Sequence, residues 1–176
     1  MHASTATLEI LIDREAIRDV ITRVARGEDR RHEGLLRSAY WPDATIDFGV
    51  MQGGFEEYLT WCVPGSPDIP VTQHSLSQTM ISLRGDKAKT ETYVRSYHRV
   101  KAPGGERDTA MGGRYLDKLE KRDGEWRITA RIMIYDWDMD LGEAVDLSKG
   151  LMGMPFLSAN PIGKNPGDAS EAFFAE

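Results

Sequence analysis

Cysteine is almost absent from this chain. Cys62 stands alone among 176 residues, so no disulfide can form within the chain, and a reducing compartment is expected. Also missing is any apolar run near the roughly 20 residues a membrane helix requires. The opening MHASTATLEILIDREAIRD has no basic segment ahead of a long apolar core, so no signal peptide is expected. Long runs of Lys or Arg are lacking, and the formal net charge is −6; both argue against a phosphate-binding footprint for nucleic acid. There are four histidines, His2, His32, His74 and His98. None stands in a metal-ligand spacing such as HExxH, so neither a metal nor another cofactor is expected. What remains is an ordinary globular composition, 40% hydrophobic and 28% charged. The length suits one domain over residues 1–176 with a substantial core. A cytoplasmic protein that engages neither nucleic acid nor membrane is expected.

Hydrophobic spacing divides the chain into helices first and strands afterwards. Asp13 is placed as an N-cap, and Ile17, Val20, Ile21 and Val24 then recur at helical intervals, with Gly34 as the stop. LLRSAYW (35–41) reads as a short helix ended by Pro42, ATIDFG (44–49) as a strand, and GGFEEYLTWCV (53–63) as a helix closed by the proline-rich PGSPDIP. Four long alternating runs follow, over 71–83, 87–101, 108–121 and 125–137, joined by GD, PGGE and RDG turns. Short turns between long runs indicate an antiparallel meander. Residues 138–176, rich in Gly and Pro, read as an irregular C-terminal extension that either wraps its own domain or reaches a neighbour. Helices followed by a curved meander give an α+β fold, a mainly antiparallel (mixed) sheet rolled around a helix-capped cavity suited to a small, largely apolar ligand.

In the last run, Trp126, Ile128, Ala130, Ile132 and Ile134 alternate onto one face, and Arg131, Met133, Tyr135 and Trp137 onto the other. Both faces are largely apolar near the end of the run. A sheet with one wet face should alternate cleanly. The strand is therefore covered on both sides, either by another subunit or by the C-terminal tail.

The charged stretch ARGEDRRHEG (25–34) raises a separate question. Ile17, Ile21 and Ala25 form a row at i+4 spacing, and Asp29 is its next member. Asp29 is thus either a solvated helix-end residue or a carboxylate carried inward by an apolar row. A carboxylate late in a helix opposes the macrodipole by up to about 1 kcal/mol, although Arg30 and Arg31 can offset this.

DREAIRDVITRVARGEDRRHEGLLRSAYWPDATIDFG (13–49), QHSLSQTMISLRGDKAKTETYVRSYHR (73–99) and GGRYLDKLEKRDGEWRITARIMIYDW (112–137) resemble the SnoaL-like family of the nuclear transport factor 2-like superfamily. The resemblance spans about residues 8–140 and implies a cone-shaped α+β barrel. DRRHEGLLRSAYWPDA and GGRYLDKLEKRDGEWRITAR are similar to segments of the scytalone dehydratase-like lyases, which include hexachlorocyclohexane dehydrochlorinase. Those enzymes use an Asp–His dyad and an Arg, with no cofactor. The matching positions are Asp29, His74 and Arg131. Val24 stands where relatives with lyase chemistry carry Lys or Tyr, and Ser96 where a bile acid dehydratase has an acidic residue.

The resemblance implies a chemistry for each position. A histidine serves as a base near neutral pH, and a carboxylate that accepts its other N–H fixes the tautomer. In this reading His74 is the base, Asp29 its orienter, and Arg131 the group that stabilises negative charge. If Arg131 faces inward, so do Met133 and Tyr135; Ser96 brings Val94 and His98 to the same face, with Met111 and Tyr115 on the third long strand. With Val24, these form the expected lining for a hydrophobic aromatic or alicyclic small-molecule substrate. The implied reaction is elimination of water or halide, or carbon–carbon cleavage with release of formaldehyde. Alternatives are a polyketide cyclase or isomerase, and a non-catalytic binding or oxygenase beta-subunit-like protein. Relatives of the dehydratase type lead to the expectation of a homo-oligomer, a trimer first and a dimer second.

Overall fold

The computed structural model of the chain describes residues 5–157 and 167–175. The elements in chain order are α1 (Thr5–Arg30), α2 (Glu33–Ala39), β1 (Tyr40–Asp47), β2 (Gln52–Gly54), α3 (Phe55–Cys62), β3 (Val71–Arg84), β4 (Lys87–Ala102), β5 (Gly105–Arg122), β6 (Glu125–Glu143), a 3₁₀ turn at Leu147–Lys149, and α4 (Ala169–Phe173). The six strands form one mixed sheet in the order β2-β1-β6-β5-β4-β3. β1 runs parallel to β6, and the other neighbours are antiparallel. The sheet curves around the helices without closing, an α+β architecture.

Several boundaries differ from the sequence expectation. Asp13 is not an N-cap, because α1 begins at Thr5. Its carboxylate instead accepts from Lys121 Nζ at 2.8 Å and Trp126 Nε1 at 2.9 Å, tying mid-helix to the β5–β6 turn. Gly34 is not the stop of α1. Arg31, at φ +55°, ends that helix, and His32 caps α2 by accepting the Leu35 N–H at 3.2 Å. Gly27 lets the two helices close together: a Cβ there would lie 2.8 Å from Leu36 Cδ2. Pro42 does not end a helix. It lies within β1, where pairing with β6 is interrupted between Tyr40 and Thr45, a place where a missing N–H costs nothing.

The faces of β6 also differ from simple alternation. Lys118 pairs with Ala130, but Leu119 pairs with Ile128, so β6 carries an extra residue there. A bulge of this kind shifts the parity. Trp126, Ile128 and Arg131 therefore all face inward at 3%, 0% and 1% exposure, while Ile132 is 47% exposed. A second shift, between Gly112 and Gly113, separates Tyr135 from Trp137. Trp137 turns outward and lays its ring where a Gly112 side chain would stand.

The C-terminal extension is shorter than expected, since residues 138–143 continue β6. Beyond it, α4 returns to the chain's own first helix. Arg30 Nε lies 2.7 Å from Asp168 Oδ2, and Arg26 donates to Ser170 Oγ at 2.9 Å.

The inner face of the sheet is split along its strands. The early halves of β4 and β6 and the late half of β5 meet α1 and α2 in a packed core that includes Ile17, Ile21, Leu119 and Ile128. The opposite halves line a cavity together with residues of α3 and the 63–70 loop.

Candidate functional site

The last two turns of α1 deliver two adjacent carboxylates to the edge of this cavity. Asp29 is 9% exposed. Its Oδ1 lies 2.7 Å from His74 Nδ1, and both carboxylate oxygens accept the His74 main-chain N–H at 3.0 Å. One side chain therefore holds both the backbone and the ring of His74. Giving Nδ1–H to Asp29 leaves Nε2 free to take a proton.

Nε2 faces the second carboxylate. Glu28 Oε2 lies 3.6 Å from it, beyond hydrogen-bond distance. Oε1 accepts the Tyr58 hydroxyl at 2.6 Å in a fully buried contact. Oε2 is itself buried and has no hydrogen-bond partner in the protein. Burial alone would push the His74 imidazolium down; Glu28 first and then Asp29 outweigh it, and His74 titrates above its ordinary value. His98, edge-on to His74 with ring centres 5.9 Å apart, behaves oppositely. Burial, followed by the charge of His74, lowers it to about 4.

The cavity measures about 550 Å³, in the range of small-molecule sites. Ser96 and His98 reach it from β4, Met111 and Tyr115 from β5, and Met133 and Tyr135 from β6. Phe48 and Trp61 supply aromatic wall from the side of β1 and α3.

Three of the expected lining residues do not line this cavity: Val24 packs into the core under its helix, and the split inner face explains Val94 and Arg131. Val24 is 0% exposed in the core beneath α1. Val94 shares a face with Ser96 but falls on the core half of β4 at 3% exposure. Arg131 falls on the core half of β6, where Nε and Nη2 grip the Asp117 carboxylate at 2.7 and 2.8 Å. Its guanidinium lies 4.0 Å from the ring centre of Tyr115, a residue that lines the cavity. Arg131 thus packs against a wall residue and does not itself line the cavity.

Two charged cavity residues escaped the sequence reading. Glu28 is one. It stands in a second i+4 row, Val20–Val24–Glu28, as regular as the row that singled out Asp29. Arg31 is the other. Its turned backbone sends the guanidinium to the Cys62 carbonyl at 2.9 Å. Gly65, at φ +75°, leaves it room, since a Cβ there would lie 2.2 Å from Arg31 Nη1. Nothing in sequence spacing announces a helix-ending residue that folds back. Among the described residues, no three His, Cys, Asp or Glu side chains gather as a metal site, and no helix is long and apolar enough to cross a membrane.

Residues 9–132 match the model of the SnoaL-like domain family. Among solved structures, a type 2 hexachlorocyclohexane dehydrochlorinase is 23% identical over 87% of this chain and 98% of its own, with a TM-score of 0.70. A Novosphingobium aromaticivorans protein provisionally named a scytalone dehydratase is 19% identical over 85% and 97%, with a TM-score of 0.66. A Kribbella flavida protein, Kfla4162, is 19% identical over 74% and 95%, with a TM-score of 0.67. At these identities the likeness speaks to the fold alone. No curated protein sequence matches the chain significantly.

Proposed function

Because the chain belongs to the SnoaL-like domain family and a carboxylate clamps a cavity histidine by ring and backbone together, we propose that it is a cofactor-independent lyase acting on a hydrophobic aromatic or alicyclic small molecule. The observation that carries this reading is the Asp29–His74 contact at 2.7 Å. His74 Nε2 takes a proton from a substrate carbon. The C–H electron pair becomes the new double bond, and the neighbouring group leaves with its own pair. If the group is hydroxide, the imidazolium returns the proton to it, so the products are an alkene and water. Asp29 keeps the imidazole in one tautomer and stabilises its cation. Such a base contributes about 10²–10⁴-fold to the rate. Loss of halide begins with the same proton transfer; for release of formaldehyde His74 instead takes the hydroxyl proton of a hydroxymethyl group, and the carbon–carbon pair becomes the new double bond as the neighbouring group leaves.

Two named neighbours, a dehydrochlorinase and a provisional dehydratase, favour elimination. The buried Asp29–His74 pair speaks against a purely non-catalytic role, since burying ionisable groups is costly without a purpose. The reading is tested by incubating the protein with hydroxylated and halogenated ring compounds and following product mass. Turnover should disappear in His74→Ala. Full activity in a folded His74→Ala protein overturns the mechanism, and a product of unchanged mass assigns a cyclase or isomerase instead.

The proposal extends to assembly. Tyr93, Ile132, Trp137 and Met139 are 42%, 47%, 41% and 54% exposed on the outer sheet surface. An apolar group of this kind suits contact between copies of the chain, a trimer first and a dimer second.

A further inference from the structure

The polar end of the cavity is unequally furnished. The Asp29 oxygens are committed to His74, and the Arg31 guanidinium donates to the Cys62 carbonyl. Glu28 Oε2 is not committed. It belongs to a residue 6% exposed, lies within the cavity wall, and accepts no hydrogen bond from the protein, its nearest cationic neighbour being His74 Nε2 at 3.6 Å. Tyr58 holds the other oxygen at 2.6 Å, so the carboxylate cannot turn away without breaking a buried bond. A buried acceptor left unpaired is costly. Thr72 Oγ1 and His98 Nδ1, also on the cavity wall, are likewise buried without partners. Phe48, Trp61, Met111 and Met133 give the wall large apolar surfaces.

We propose that Glu28 is a specificity-determining residue that accepts a hydrogen bond from a hydroxyl group on the substrate ring, next to the carbon that His74 deprotonates. This rests on the reading of the cavity as a lyase site and names the substrate class within it. The position follows from geometry, since Oε2 and His74 Nε2 are 3.6 Å apart. An atom bonded to the first lies within one or two bonds of an atom facing the second. A neutral donor fits better than an ammonium group, because the Arg31 guanidinium lines the same cavity and repels a second cation. A polyhalogenated ring has no O–H to give and leaves Oε2 without a strong donor. The site therefore selects hydroxylated rings over halogenated ones.

Binding of 2-naphthol and 2-methylnaphthalene, two probes of nearly equal shape, tests this without turnover. Water solvates the hydroxyl and favours transfer of the methyl compound, so a preference for naphthol must come from the site. We expect the wild-type protein to bind 2-naphthol about 10-fold or more tighter. Glu28→Leu should abolish the preference, and Glu28→Gln, which keeps an acceptor, should retain part of it. His74→Ala should leave the preference in place, which separates this proposal from the lyase reading. Equal affinity of the wild-type protein for the two probes overturns it with no variant needed, as does a preference undiminished in folded Glu28→Leu.

Discussion

Arg131 and Asp117 face each other across neighbouring strands as a bidentate pair with no side-chain exposure, at 2.7 and 2.8 Å. The pair forms because the bulge in β6 turns Arg131 to the same side as Ile128 and opposite Asp117 on β5. Removing one partner strands a charge in the core. Arg131→Met should therefore destabilise the protein by roughly 3–5 kcal/mol. At about 2–4 °C per kcal/mol for a chain of this size, the melting temperature should drop by roughly 6–20 °C. The double variant Arg131→Met with Asp117→Leu should recover most of that loss, since an apolar pair of similar volume carries no desolvation cost. Thermal melts of the single and double variants check this. If Arg131 instead meets the ligand, the double variant regains stability while ligand binding by folded Arg131→Met falls more than tenfold.

Asp29→Asn keeps the shape of the clamp but changes its chemistry. The amide can donate as well as accept, so the tautomer of His74 is no longer enforced, and the imidazolium loses its counter-charge. The turnover number should fall by about 10²–10⁴-fold with little change in KM, because Asp29 does not line the cavity. Steady-state kinetics with a turned-over ring compound distinguish this from a binding defect, which would raise KM at constant turnover number.

Much of this arrangement is legible in the sequence, because it follows from period. The i+4 row through Ile17, Ile21 and Ala25 points to Asp29, and once the resemblance turns Ser96 and Arg131 inward, strand alternation places His98, Met133 and Tyr135 on the same side. The row through Val20 and Val24 points equally to Glu28, and it reads as a feature only once Oε2 is seen facing Nε2. Other features are not periodic. A single extra residue in β6 reverses the parity that alternation assumes, so Trp126 and Ile128 join Arg131 inside. Parity gives the face of a strand but not the distance along it, and the division of that face into core and cavity decides that Val94 and Arg131 stay in the core. Arg31 reaches the cavity through a left-handed backbone that favours no particular spacing.

The pH dependence of turnover should carry the mark of Glu28. The base must be neutral to accept a proton. His74 titrates above 6.5 because the nearby carboxylates, Glu28 foremost, outweigh the effect of burial. The rate should thus rise with pH along a limb whose midpoint lies above 6.5. In Glu28→Gln the first of those carboxylates is gone, and the midpoint should move to lower pH. In Asp29→Asn it should move the same way. Rate profiles at saturating substrate measure both, and an unmoved limb in Glu28→Gln would mean that another group governs it.

His98 makes an opposite contribution to stability. Its folded value is about 4 against an ordinary 6.5, through burial first and the His74 cation second, with Arg31 adding to them and Asp29 opposing. Between those values the unfolded chain binds a proton that the folded chain refuses. Stability therefore rises with pH across this window and is lost as pH falls from 6.5 toward 4. His98→Gln removes the linked proton. Its melting temperature should decline less steeply than the wild type over that interval, and parallel curves would exclude His98 as a source of acid sensitivity.

Association should be visible in the mass of the particle. One chain weighs 19.7 kDa, and light scattering at micromolar concentration should give three times that value, or twice it for the second choice. Trp137 stands near the middle of the exposed outer face, held over Gly112. A charge at this position should be tolerated in an isolated chain, since the side chain is 41% exposed, but not in a desolvated interface. Trp137→Glu should therefore reduce the mass to that of one chain while the circular dichroism of the sheet persists. A wild-type mass of 19.7 kDa removes the oligomer from the proposal. The exposed Tyr93, Ile132 and Met139 would then be surface residues of a monomer.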